Sequence, residues 1–263
     1  MLKTLWRSLA NLTWLVYEHV AMVFGFTLLA SLCLLALPFA FVVFLMPARL
    51  SQPLVRTAIT FTLWIYLEAL KIFCCVRIDL SELAFLSTQK PLIVIANHPT
   101  ILDAVLLLSR CSGMACVIKA KLRRNILFGP AARLAGYISN QNTKTLIDQA
   151  CGSLRSGLHL LIFPEGGRTQ SFPLDSFSKT AALISSRSGI AIQTLLIEFS
   201  TPYLGKNWPL FKRPTLPLLV SVKLGKKFDH SHDITDLNEK IEGYYRQNFQ
   251  PKLTGGLQND RKG

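Results

Sequence analysis

Charged residues are scarce in this sequence, and one long stretch has none. Only 17% of the 263 residues are Asp, Glu, Lys or Arg, whereas 50% are hydrophobic. This balance argues against an ordinary soluble protein. Residues 20–46 contain no Asp, Glu, Lys, Arg or His. A helix over this stretch would rise about 40 Å and could cross a hydrocarbon core of about 30 Å with some tilt. The stretch is too long and starts too late for a cleaved signal peptide, so we expect a retained membrane segment.

Acidic residues are especially few, with 15 Asp and Glu against 29 Lys and Arg, for a net charge of +14. An excess of this kind favours an anionic partner, either lipid headgroups or nucleic acid. No stretch interleaves basic and aromatic residues as a nucleic-acid-binding surface would. The sequence therefore favours a lipid bilayer as the anionic partner and argues against nucleic acid. More positive residues follow the first apolar segment than precede it, which predicts that the rest of the chain lies on the cytoplasmic side of the membrane, in a bacterium the inner membrane.

Several catalytic and structural signatures are also missing. The chain has no G-x-S-x-G nucleophile elbow, which argues against a serine hydrolase that uses this motif. The six cysteines show neither metal-site spacing nor a disulfide framework, and we expect reduced, mostly buried thiols. The stretch DHSHD at 229–233 lacks ligands at a second position in the chain, so we predict a solvated turn and no metal site.

Beyond the apolar start, short apolar runs alternate with amphipathic ones. A second apolar stretch at 57–76 is interrupted by Glu68 and Lys71, which favours an interfacial helix or the second arm of a membrane-dipping hairpin. Strands are predicted at 91–97, 115–120, 159–164, 192–199 and 217–224, and helices at 101–110, 122–135, 142–156, 175–188 and 235–249. This alternation predicts an α/β fold with a mostly parallel sheet flanked by helices, behind an N-terminal membrane-embedded helical segment. We expect membrane-anchoring helices at 1–78, the α/β domain at 79–250 and a C-terminal tail at 251–263.

The stretch NHPTILD, residues 97–103, places a histidine and an aspartate just after a predicted buried strand. In a continuous helix, His98 and Asp103 would face different ways. Pro99 changes this, because proline favours the first helical position and pushes the preceding residue out of the helix. His98 can then fold back toward Asp103, which makes the pair a candidate general base with its supporting carboxylate. A histidine that merely caps the helix beside an acidic first-turn residue is the alternative.

A second polar turn, FPEGGRT at 163–169, follows another predicted strand. Successive backbone N–H groups in a turn with Gly166 and Gly167 can form an anion-binding nest, and the Arg168 guanidinium suits phosphate or carboxylate. A glycine-rich turn alone is a weak signal. Two polar turns at strand ends in one short domain indicate a functional site.

The two turns together resemble the glycerolipid acyltransferase family, whose best-known members acylate lysophosphatidic acid. The resemblance rests on an N-H-x-x-x-x-D block, the HX4D motif, followed some 60 residues later by an F-P-E-G-x-R-[ST] block, and it covers roughly residues 90–200. The stretch KAKLRRNILFGPAARLAGYI at 119–138 is similar to the block that the family carries between them. Where the family often has an arginine shortly after this block, the chain has SNQNTK.

The resemblance implies an O-acyltransferase of phospholipid biosynthesis, with acyl-CoA or acyl carrier protein as donor, a lyso-lipid as acceptor and no bound cofactor. It assigns His98 as general base and Asp103 as its support. It assigns acceptor binding to Glu165, Gly166, Gly167, Arg168, Thr169 and Lys119. Two alternatives stay open at this point: a catalytically silent lipid-binding scaffold, and a hydrolase of thioesters or lyso-lipids that uses the same base.

Overall fold

The computed structural model describes residues 2–126, 128–171, 173–209 and 211–249, so the tail predicted at 251–263 lies outside the described residues. The helices are α1 (Leu2–Phe44), α2 (Ala48–Phe73), α3 (Leu102–Leu108), α4 (Ala120–Arg123), α5 (Gly129–Leu134), α6 (Thr143–Arg155), α7 (Thr180–Ser188) and α8 (Ile234–Asn248), with a 3-10 helix at Ser81–Thr88. The strands are β1 (Val76–Asp79), β2 (Ile93–Ala96), β3 (Met114–Ile118), β4 (Ile138–Ser139), β5 (His159–Ile162), β6 (Ile192–Phe199) and β7 (Leu218–Phe228).

The strands form one sheet in the order β1-β7-β6-β2-β5-β3-β4. Neighbouring strands run parallel except for β6 and β7, which pair antiparallel. Helical crossovers between parallel strands place helices on both faces. The predicted class, a mostly parallel sheet flanked by helices, is therefore confirmed.

Strand β2 shows how the sheet holds two cores apart. All four of its residues are buried. Ile93 and Ile95 belong to the core under α6, α7 and α8, whereas Val94 and Ala96 belong to the core shared with α1, α2 and α3. Successive strand side chains point to opposite faces, so a continuous apolar run is what a strand covered on both sides requires.

The first two helices pack against each other and against α5, and α2 also packs against α3. With 43 residues, α1 rises about 65 Å. Within the described residues, it is the one helix long and apolar enough to cross a membrane. Large apolar side chains stay exposed along it, among them Leu35, Phe41 and Phe44, and Leu50 and Leu54 continue this surface on α2. Helix α2 thus forms the second arm of a helical hairpin.

The loop between β6 and β7 is fastened to α1. Glu18 on α1 is only 2% exposed and pairs with Arg213 in that loop. Its Oε1 also accepts a hydrogen bond from the backbone N–H of Leu216 at 3.1 Å. A buried carboxylate is costly unless it is paired and hydrogen-bonded, so these contacts hold the loop against the helix.

Two predicted helices differ from the structure. The helix predicted at 122–135 is divided into α4 and α5, because Gly129 and Pro130 start a new helix whose first turn needs no proline N–H. The helix predicted at 175–188 begins only at Thr180. Asp175 lies outside it because its carboxylate accepts the backbone N–H groups of Gln170 and Ser171.

Two strands were not predicted from the sequence. Strand β1 comes directly after α2 and pairs only with β7 at one edge of the sheet, and it crosses the boundary predicted between residues 78 and 79. Strand β4 has two residues at the opposite edge. Such short edge strands carry little apolar periodicity, so pattern analysis does not detect them.

Candidate active site

The predicted site residues lie together at the carboxyl ends of three neighbouring strands. Strands β2, β5 and β3 are parallel neighbours, so their carboxyl ends lie side by side. His98 follows β2, the FPEGGRT turn follows β5, and Lys119 follows β3. Open α/β sheets commonly bind ligands outside the carboxyl ends of their strands.

His98 and Asp103 are in direct contact. Nδ1 of His98 lies 2.7 Å from Oδ2 of Asp103, a short distance typical of a charge-assisted hydrogen bond. Helix α3 begins at Leu102, so His98 stands ahead of its first turn and leans back over it. With Asp103 ionised, Nδ1 carries the proton and Nε2 presents its lone pair. An imidazole oriented by a carboxylate in this way has the geometry that suits proton abstraction from a hydroxyl.

Thr100 holds Asp103 in this position, a role that the sequence analysis did not identify. Its backbone N–H donates to Oδ2 at 2.9 Å, and its hydroxyl donates to Oδ1 at 2.9 Å. The Asp103 side chain is fully buried. Burial raises the pKa of the Asp103 carboxyl, while the hydrogen bonds from His98 and Thr100 act in the opposite direction. A carboxylate with three donors has no freedom to rotate, which fixes the imidazole plane.

The ring of Phe163 covers one face of the His98 imidazole. The two ring centroids are 4.1 Å apart with an interplanar angle of 22°. The side chain of His98 remains 18% exposed, so a substrate can reach it. Phe163 is the first residue of the FPEGGRT stretch, and the pairing of Ile95 with Ile162 places it beside the end of β2.

Glu165 joins the two turns. Its Oε1 accepts the backbone N–H of His98 at 2.8 Å. Its Oε2 accepts the hydroxyl of Thr169 at 2.7 Å and the backbone N–H of Asp175 at 3.1 Å. Burial raises the pKa of the Glu165 carboxyl. These contacts turn Glu165 inward to the protein, and its predicted contact with an acceptor stays a prediction.

Lys119 reaches the glycine pair of the FPEGGRT turn. A Cβ added at Gly167 would lie 2.5 Å from Nζ of Lys119, so glycine is what allows the ammonium to approach the backbone. Gly166 has a φ of 65°, which a residue with a side chain rarely adopts. Within the described part of the chain, the N–H groups of Gly167 and Arg168 have no hydrogen-bond acceptor. These N–H groups and the ammonium together make an anion-binding corner.

Arg168 and Thr169 link this turn to its neighbours. Nη1 of Arg168 donates to the carbonyl oxygens of Leu204 at 3.0 Å and Gly205 at 3.1 Å. The backbone N–H of Thr169 donates to the carbonyl oxygen of His98 at 2.8 Å. Among the described residues, Nε and Nη2 of Arg168 have no acceptor. The guanidinium is anchored on one side and can bind an anion on the other.

The segment SNQNTK, where the family often has an arginine, performs structural roles. Oδ1 of Asn140 accepts the backbone N–H of Ala120 at 3.0 Å, which fixes the start of α4 just after Lys119. Asn142 caps α6 by accepting the backbone N–H of Thr145 at 3.0 Å. Neither role was predicted from the sequence.

The remaining histidines and cysteines do not form a second site in the described chain. His159 is buried, accepting the N–H of Leu92 at Nδ1 and contacting the carbonyl oxygen of Leu86 at Nε2. Asp233 caps α8 through Thr235 and Asp236, as expected for a turn at DHSHD. Among the residues that the structure describes, no three His, Cys, Asp or Glu side chains are grouped to hold a metal. All six cysteines are free thiols.

Comparison with known proteins agrees with this geometry. The profile of the family described as Acyltransferase matches residues 77–198. Over 111 residues, 40% of this chain, the sequence is 25% identical to the chloroplastic 1-acyl-sn-glycerol-3-phosphate acyltransferase LPAT1 of Arabidopsis thaliana. That alignment spans only 31% of the length of LPAT1.

The fold is shared with the crystal structure of the 1-acyl-sn-glycerophosphate (LPA) acyltransferase PlsC from Thermotoga maritima. The TM-score is 0.66 at 18% sequence identity, and the match covers 88% of this chain and 95% of PlsC. The family profile ends within β6, so it includes the turns that carry His98, Lys119 and Arg168. Over residues 77–198, less than half of the chain, this protein therefore resembles the acyltransferase family.

Proposed function

We propose that this protein is a membrane-bound O-acyltransferase that moves an acyl chain from a thioester to the hydroxyl of a lyso-lipid such as lysophosphatidic acid. The observation that carries the proposal is the 2.7 Å contact between His98 and the fully buried Asp103 at the open edge of the sheet. Acyl-CoA or acyl carrier protein would be the donor, and the protein itself supplies the base.

In this mechanism, Nε2 of His98 removes the proton from the acceptor hydroxyl. The oxygen attacks the thioester carbonyl, the carbon–sulfur bond breaks, and the imidazolium returns the proton to the leaving thiolate. An ester and a free thiol are formed, with no change in oxidation state. Asp103 keeps Nδ1 protonated throughout and stabilises the imidazolium. Positioned proton transfer of this kind contributes about 10² to 10⁴ in rate.

The acceptor's phosphate would bind at the anion-binding corner. The free side of the Arg168 guanidinium, the Lys119 ammonium and the N–H groups of Gly167 and Arg168 offer donors to one anion. Because this corner adjoins the turn that holds His98, a phosphate bound there would bring a nearby hydroxyl within reach of Nε2. Holding reactants in place can supply several kcal/mol of the barrier, about 7–11 in the best cases.

The relatives support the choice of acceptor. Both LPAT1 and PlsC are described as acyltransferases of 1-acylglycerol phosphate. The exposed apolar surface of α1 and α2 suits insertion into a bilayer, where a lyso-lipid is found. The net charge of +14 favours the anionic cytoplasmic leaflet, which for a bacterial protein is that of the inner membrane.

Purified protein in neutral detergent micelles, supplied with a labelled acyl thioester and a panel of lyso-lipids, tests the proposal. We expect labelled diacyl product with lysophosphatidic acid and less with acceptors that lack a terminal phosphate. His98→Ala should abolish transfer. His230→Ala is the matched control, because His230 is exposed on the turn before α8 and should leave transfer unchanged.

The alternatives give different products in the same assay. Free fatty acid without diacyl lipid indicates a hydrolase in which water replaces the acceptor, and no turnover of the thioester indicates a lipid-binding scaffold. Transfer at the normal rate by His98→Ala removes His98 from the mechanism.

A further inference from the structure

A second cationic site lies between α2, α4, α5 and α6. A polar cavity of about 400 Å³ is lined by Arg56, Arg123 and Arg133, together with Gln52, Gln149 and Ser153. Its lining shares no residue with the candidate active site, although Arg123 on α4 follows β3 only four residues after Lys119. The cavity is therefore separate from the candidate active site.

Arg56 is the buried member of this cluster. Its side chain comes from α2, and the residue is only 8% exposed. Nη1 donates to the carbonyl oxygen of Ala135 at 3.0 Å, but the buried Nε has no hydrogen-bond partner. Burial lowers the pKa of the Arg56 guanidinium. An unpaired buried donor on a charged group costs free energy that a bound anion would recover.

The other two arginines increase the positive charge around the cavity. Nη1 of Arg123 donates to the carbonyl oxygen of Tyr137 at 3.2 Å, and Nη1 of Arg133 donates to the carbonyl oxygen of Arg123 at 2.7 Å. In the described chain, none of the three arginines forms an ion pair with a carboxylate. Among the residues that the structure describes, none of those lining the cavity is acidic. Three guanidinium groups that share one cavity repel each other unless an anion lies between them.

We propose that this arginine pocket binds the phosphate group of an anionic phospholipid. The guanidinium groups offer planar pairs of donors that match phosphate oxygens, and the amides of Gln52 and Gln149 can complete the contacts. Leu50 and Leu54, which are 60% and 42% exposed, lie on the face of α2 opposite to Gln52 and Arg56. Because α2 belongs to the helical hairpin with the exposed apolar surface, a pocket on another face of the same helix would lie close to the headgroups of a bilayer that the hairpin enters. The site is independent of the proposed catalytic function.

Arg123→Gln and Arg124→Gln form a matched pair of variants. Both remove one positive charge at the end of α4, but only Arg123 lines the cavity. The full chain is melted in neutral detergent micelles at constant ionic strength, first with increasing inorganic phosphate and then with micelles containing phosphatidylcholine or phosphatidic acid. Binding to the folded state raises the Tm. Loss of one charge-assisted contact should weaken the apparent affinity about tenfold in Arg123→Gln and little in Arg124→Gln.

Ser153→Glu provides a second variant that removes no arginine. It places a carboxylate on the cavity wall, where it should compete with the anion and reduce the ligand-dependent rise in Tm. Equal ligand responses in wild type, Arg123→Gln and Ser153→Glu would overturn the proposal, as would the absence of a response in the wild type. An Arg123-dependent response to inorganic phosphate but not to phosphatidic acid would overturn the lipid as the source of the phosphate. Because the readout is unfolding, the result does not depend on acyl transfer.

Discussion

Oε1 of Glu165 accepts the backbone N–H of His98 at 2.8 Å, and this contact joins residues 67 positions apart in the chain. Thr169 makes a second contact with His98, because its N–H donates to the carbonyl oxygen of His98 at 2.8 Å. The backbone of the proposed base is thus held at both its N–H and its C=O by the turn that carries Arg168. The proposed base and the anion-binding corner are therefore held in a fixed position relative to each other.

Asp103→Asn should lower kcat by about 10² to 10⁴ with little change in KM. The amide has nearly the same shape, but it cannot stabilise the imidazolium, and it no longer enforces the tautomer with a free Nε2. Thr100→Val is the companion variant, because it removes one hydrogen bond to Oδ1 and leaves the charge in place. We expect a smaller loss there. Initial rates with labelled thioester measure both, and a normal kcat for Asp103→Asn would contradict the assigned role.

The stability of the folded protein should depend on the ionisation of Glu165. Burial raises the pKa of this carboxyl, so the folded state keeps the proton to a higher pH than the unfolded chain does. Between the ordinary glutamate value of about 4.3 and the raised value, the folded state binds more protons, and stability falls as pH rises. Urea unfolding followed by tryptophan fluorescence across this window should show the decline in the wild type.

Glu165→Gln should flatten that decline, because the amide does not ionise. A part of the slope should remain, since burial also raises the pKa of Asp103. A variant with the full wild-type slope would exclude Glu165 as its source.

Gly166→Ala and Gly167→Ala should fail in different ways. Gly166 has a φ of 65° and open space around it, so a methyl group there strains the backbone by about 1–2 kcal/mol and lowers the Tm. At Gly167 the methyl group would displace the Lys119 ammonium, which is the far end of a flexible side chain. We expect an almost normal Tm and a raised KM for a phosphate-bearing acceptor. A normal KM in Gly167→Ala would show that the position of Lys119 is not important for the acceptor.

Arg168→Ala should raise the KM for lysophosphatidic acid about tenfold or more, because a charge-assisted contact to phosphate is lost. The KM for an uncharged acceptor such as a monoacylglycerol should change much less. Arg187→Ala, an exposed arginine on α7, controls for the loss of charge. Equal effects on charged and uncharged acceptors would mean that Arg168 acts only by holding the loop at Leu204 and Gly205.

The sequence was most informative where local chemistry determines the conformation. His98 lies ahead of the helix and contacts Asp103, as predicted, but α3 begins at Leu102 and not at Pro99, and Thr100 in between holds the carboxylate. Continuous apolar runs such as PLIVIAN indicate strands buried on both faces. The helix predicted to start at Asp175 failed because this residue caps the preceding turn, a tertiary role that overrides its place in an amphipathic pattern.

The approach of Lys119 to Gly167 could not have been derived from the sequence in the same way. It depends on β3 lying next to β5, and the order of strands in a sheet is decided by packing across the whole domain. The arginine pocket has the same origin. Arg56 lies directly before the apolar stretch predicted at 57–76, and only the packing of α2 against α5 brings it to Arg123 and Arg133.

The loop between β6 and β7 touches α1 through Glu18 and touches the guanidinium of Arg168 through Leu204 and Gly205. Cutting away the first helix to obtain a water-soluble fragment would therefore also remove a contact that supports the loop beside Arg168 in the candidate active site. Loss of turnover in such a fragment would be no measure of the need for lipid. Solubilising the intact chain instead distinguishes the effect of losing α1 from the effect of losing lipid.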